Sequence, residues 1–63
     1  MNYEEAVKLT NEFPKNRTVP GQLFKAIEKT SGKEKELLSE LVEGLIINCK
    51  SFEDFDLVYK YFD

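Results

Sequence analysis

Residues 31–49 read SGKEKELLSELVEGLIINC, and this stretch decides the fold. Its apolar side chains are Leu37, Leu38, Leu41, Val42, Leu45, Ile46, Ile47 and Cys49. At ~100° per residue, Leu37 to Ile46 sweep an arc of roughly 200°, with Ile47 alone on the far side beside Glu40. So wide an arc predicts a helix over 33–49 that neighbours grip from several directions, the central element of a bundle. Gly44 inside it costs about 1 kcal/mol relative to alanine, which predicts close helix packing at that point. Ser31 and Glu34 have the spacing of a capping box, and Gly32 offers a left-handed stop to the segment before.

Upstream, Leu23, Phe24, Ala26, Ile27 and Thr30 share one face, with Gln22, Lys25, Glu28 and Lys29 outside it. Thr18 can cap this segment, and Pro20 falls in the first turn, where its missing N–H does no harm. These signals predict a helix over 20–30. Before it, Asn2 and Glu5 form a capping-box pair. Ala6, Val7, Leu9, Thr10 and Phe13 then recur on one side of a helix over 3–13, which Pro14 ends because the residue before a proline avoids the α region.

Downstream, Ser51 and Asp54 repeat the capping logic, and Asp56 and Lys60 have the spacing of a favourable pair. Phe52, Phe55, Val58, Tyr59 and Phe62 fall on one stripe of roughly 120°, predicting a helix over 52–62 that buries those five. Nothing alternates as a strand does. The fold expected is therefore all-α, a compact bundle of about four short amphipathic helices in one small domain spanning 1–63. Phe13, Phe24, Phe52, Phe55 and Phe62 are expected to supply much of the core, and Leu41→Ala to cost about 2–5 kcal/mol if that residue is buried.

The composition of these 63 residues excludes much. Twelve acidic residues face nine basic ones with no His, a formal charge of −3. Apolar residues make up 41%, enough for a folded domain rather than a disordered tail. Yet a chain of about 60 residues buries only roughly 60% of its unfolded surface. Zero His and one Cys exclude disulfide frameworks and the usual zinc sites. No apolar run approaches the ~20 residues that span a bilayer, and no leader pattern opens the chain, so a cytoplasmic protein is expected.

Little could carry catalysis. Without His the commonest general base at neutral pH is missing. Cys49 lies on the apolar arc and reads as a small buried hydrophobe, and a lone thiol suits a reducing compartment. Glu53, Asp54 and Asp56 lack the alternation and the glycine of a calcium loop, and read as helix N-terminal acids complementing the macrodipole. The scattered Gly21, Gly32 and Gly44 make no phosphate loop. The expectation is a protein that is not an enzyme, with no catalytic or metal residue and no cofactor.

The surplus apolar residues carry more. Leu57 and Tyr61 lie near 140° and 180° from Phe52, away from the expected core stripe, and Glu53 and Asp54 flank them. Either these residues complete the core or they form an exposed acidic–aromatic patch, as protein contacts often do. The reading favoured is a small interaction module, a regulator or inhibitor docking this helical surface on a partner protein with a basic surface. Leu57, Tyr61, Glu53, Asp54 and Ile47 would make the contact. One alternative is a homodimer joined through the same patch. Another is a nucleic-acid-binding regulator using Lys15, Arg17, Lys25 and Lys29, disfavoured because Glu34, Glu36, Glu40 and Glu43 would repel phosphate. Size and composition resemble those of phage and mobile-element accessory proteins, which fixes no function.

Overall fold

The computed structural model describes residues 2–62. Four α-helices form an all-α bundle: α1 (Tyr3–Glu12), α2 (Val19–Glu28), α3 (Gly32–Asn48) and α4 (Phe52–Phe62). The radius of gyration is 10.7 Å, against about 11 Å for a compact chain of this length. The expected boundaries hold to within two residues at every end.

The caps explain where the helices start and stop. Asn2 is a true N-cap, its side-chain oxygen accepting the Glu5 N–H at 2.8 Å. Phe13 is extended before Pro14 and closes α1. Two other expected caps fail. Thr18 takes a helical rather than extended backbone, so its hydroxyl instead donates to Asn16 Oδ1 and accepts from Gln22 Nε2. Ser31 is extended, yet its side chain makes no cap bond. Gly32 has a positive φ of 64°, the left-handed turn expected between α2 and α3. The expected Asp56–Lys60 ion pair is not formed; Arg17–Asp54 is the single ion pair among the described residues.

Both α2 and α3 pack on all three other helices, whereas α1 and α4 do not pack on each other, so α3 shares the central place it was expected to hold alone, and of its 17 residues only Leu38 and Leu45 are buried. Leu38 and Leu45 on its inner face are fully buried with Ala6, Val19, Leu23 and Val58, and Phe13 closes the end of that core. Gly44 is where α1 comes close: a Cβ there would stand 3.3 Å from Thr10 Cγ2. The Thr10 hydroxyl is held at 2.8 Å by the Ala6 carbonyl, and Asn48 Nδ2 donates to the Thr10 carbonyl at 3.2 Å. Leu41 is only half-buried, so truncating it costs less than full burial would imply.

The face that α4 buries is not the one expected. Phe52, assigned to the core from its place on the aromatic stripe, is 88% exposed, and Tyr59 is 47% exposed. Leu57 packs against the core instead, and Tyr61 lies on Gly21 with its ring 5.8 Å from that of Phe24. Phe62 meets Phe24 edge to face. The helix is rotated relative to the expectation because Asp54 sits at the centre of its inward face, only 4% exposed. An inward stripe centred on the aromatics alone overlooks that acid.

Candidate functional site

Asp54 sets the orientation of the surface where α3 turns into α4. One carboxylate oxygen accepts from the Arg17 guanidinium, and the other accepts the Lys50 N–H at 2.7 Å. Arg17, the chain's only arginine, also lies over the Phe13 ring, 5.9 Å from its centre. These bonds tie the first turn of α4 to the α1–α2 loop. They hold the Asp54 carboxyl below its ordinary range: the Arg17 hydrogen bond contributes most, then the Lys50 N–H, against burial.

Residues two apart on a helix point to sides roughly 160° apart. With Asp54 turned inward, Phe52 must therefore point out. Ile47, the last residue but one of α3, is 80% exposed on the face opposite Leu38 and Leu45. Ile47 and Phe52 are thus both exposed, one at each end of the short α3–α4 connection, which we call the α3–α4 corner. Phe55 and Tyr59 stack along α4 behind Phe52, with ring centres 6.2 Å apart.

Charge surrounds this corner. Glu36, Glu40, Glu43 and Ile47 recur at helical spacing along the outer face of α3, all exposed, and no lysine or arginine occurs between Glu36 and Cys49. On α4, Glu53 and Asp56 are exposed beside Phe52. Next to Ile47 a groove opens between the two loops, lined by Phe13, Pro14, Cys49 and Lys50 among others, and it continues past Lys15.

The five residues assigned from sequence therefore separate. Ile47 and Glu53 are exposed at the corner. Leu57 and Tyr61 belong to the helix packing, and Asp54 is buried in its ion pair; the acidic–aromatic patch drawn through them is corrected accordingly. The residue the sequence reading missed is Phe52. A signal for it existed: Asp54 lies inside a continuous arc formed by Leu57, Tyr61, Val58 and Phe62, and a lone arginine upstream could neutralise it.

The other candidates offer less. Cys49 is half-buried and donates to the Leu45 carbonyl. Burial, with a smaller contribution from the Asp54 charge and against that of Arg17, pushes its thiol up, away from the reactive thiolate. Lys25 and Lys29 border a cleft that Glu34 also lines, Arg17 is engaged by Asp54, and Lys15 borders the groove at the other loop. Among the described residues no three His, Cys, Asp or Glu side chains gather as metal ligands, and no helix is long and apolar enough to cross a membrane. No known protein family, curated protein or solved structure matches the chain.

Proposed function

We propose that this chain is a cytosolic protein-interaction module that regulates by occupancy, docking its α3–α4 corner on a protein surface. The observation that carries this reading is the exposure of Phe52 on a helix whose other large side chains are at least partly covered. Leaving a phenylalanine in water forfeits roughly 1.5–3 kcal/mol of burial, and a marginal 63-residue domain gains nothing internally from that arrangement. Aromatic side chains that fill a pocket on a partner dominate many interfaces. Ile47 extends the contact, and Glu43 and Glu53 at its margin favour a partner with basic groups nearby.

The nucleic-acid reading draws less support, because its only arginine is engaged by Asp54 and Lys15 borders a different cleft from the one Lys25 and Lys29 share with Glu34. The docking reading is tested by capture. Immobilised chain is exposed to cell lysate supplemented with a differently tagged second copy, alongside Ile47→Asp and Phe52→Asp variants. Proteins held by the wild-type chain and lost from both variants, at unchanged melting temperature, support docking. Identical retention by all three sinks it.

A further inference from the structure

We infer that the surface receiving this protein is an apolar groove edged by lysine or arginine, and that the outer face of α4 is what enters it, with Phe52, Phe55 and Tyr59 as anchors. The inference rests on the docking reading and names the chemistry of the partner. As an edge helix, α4 packs on α2 and α3 and not on α1. On its outer side Phe52 and Tyr59 are exposed, and Phe55, between them along the helix, is half-buried. The three side chains leave the axis within roughly 60° of one another and span about 10 Å of it. Phe55 and Tyr59 stack with their planes 18° apart, so part of this ridge is ordered before anything covers it. Less freedom is then lost on contact. Positions i, i+3 and i+7 are those by which an amphipathic helix seats itself in an apolar groove. A ridge on a convex helix is sealed from water on both flanks only where the opposing surface curves round it.

Charge fixes the edge of that groove. Asp56 and Glu53 follow on one flank of the ridge, about 40° and 100° round the helix from Phe52. Both are exposed, and neither forms an ion pair among the described residues. Lys60, the only base on α4, lies over the Tyr61 ring, 5.8 Å from its centre. Lys50, just ahead of the helix, borders the groove on the side of the α1–α2 loop. Two carboxylates without a partner therefore come to the margin of the contact. Lysine or arginine there complements them, whereas an acidic edge or a phosphate backbone is repelled. A second copy answers this description poorly. Its own α4 offers the same convex ridge and the same two acids, and its clefts beside the α1–α2 loop and between α2 and α3 are lined mostly by polar side chains.

Site-specific photo-cross-linking of the full chain tests the inference. The photoreactive analogue p-benzoylphenylalanine replaces Phe52, Tyr59 or Ile47 in turn, each chain is irradiated in cell lysate, and the labelled residues are read by mass spectrometry. The expected result is that positions 52 and 59 label one and the same protein, at apolar residues adjoined by lysine or arginine. Against that protein once purified, Phe52→Ala and Tyr59→Ala should each weaken binding about thirty-fold or more, as loss of a central aromatic contact does, with the melting transition retained. Asp56→Lys should weaken it about ten-fold at low salt, and the difference should shrink as salt rises. Label from position 59 that lands on a second copy, on residues flanked by acids or on nothing overturns the inference, as does equal binding by Tyr59→Ala. If positions 47 and 52 label a protein that position 59 does not, docking through the corner stands and insertion of the α4 face falls. If no position labels any protein, both fall.

Discussion

Arg17 and Asp54, 37 positions apart, form the ion pair that fastens the α1–α2 loop to the first turn of α4. With the pair formed, Asp54 shares the inward face of α4 with Leu57, Val58 and Phe62, and Phe52 is left in water. The same aspartate also accepts the Lys50 N–H, so one side chain satisfies the backbone just ahead of the helix and neutralises the arginine.

Asp54→Asn and Arg17→Ala should each lower the melting temperature at neutral pH, and the double variant should be little worse than either alone, because both remove one coupling. The acid dependence has a definite sign. The folded carboxyl lies below its ordinary value, so its contribution is complete above the unfolded pKa, near 3.8, and declines as pH falls through the lower folded value. Thermal melts followed from neutral pH into acid should show wild type converging on Asp54→Asn. Parallel curves would contradict this role.

Leu57 and Phe52 should exchange the roles that helical periodicity alone suggests. Leu57→Ala should cost about 1–3 kcal/mol, less than a fully buried leucine, and Tyr61→Ala should also destabilise by releasing its packing on Gly21 and Phe24. Phe52→Ala should stay within about 0.5 kcal/mol of wild type. Chemical denaturation of the three variants compares them directly. For a domain of this length total stability is roughly 3–9 kcal/mol, so the Leu57 loss should be plain in the midpoint.

Gly44 and Thr10 should be coupled. Replacing a helix-interior glycine by alanine ordinarily gains about 1 kcal/mol. Here the new Cβ would press on Thr10 Cγ2, and Thr10 cannot rotate freely because its hydroxyl is bonded to the Ala6 carbonyl. Gly44→Ala alone should therefore gain little or lose. In a Thr10→Ser background the methyl is gone and the full gain should return, so a double-mutant cycle should give a coupling near 1 kcal/mol. A coupling of zero would mean the two helices do not meet as described.

Cys49 should react slowly with alkylating reagents at neutral pH. Its thiol is raised by burial and donates to the Leu45 carbonyl. The rate should climb toward that of a free cysteine when denaturant opens the bundle. Fast labelling of the folded chain would show an accessible thiolate instead.

Most of the architecture was legible in local signals. The four helices, their approximate limits, the close approach at Gly44 and the left-handed turn at Gly32 all follow from apolar spacing, glycine and proline. Caps were read less well. Thr18 and Ser31 have suitable side chains, but the backbone angles and neighbours that direct an oxygen to a helix N–H are set by the connection as a whole.

For α4 the linear chain determined that a helix would form and that it carried more apolar surface than one face can bury. Its apolar arc spans roughly 220°, and periodicity ranks no part of such an arc above another. The choice fell to a contact made across the fold: a carboxylate with an arginine and a backbone N–H within reach can be buried, and a carboxylate without them cannot. Only folding brings Arg17 to Asp54, and so only the tertiary structure could place Leu57 and Tyr61 against their neighbours and send Phe52 outward.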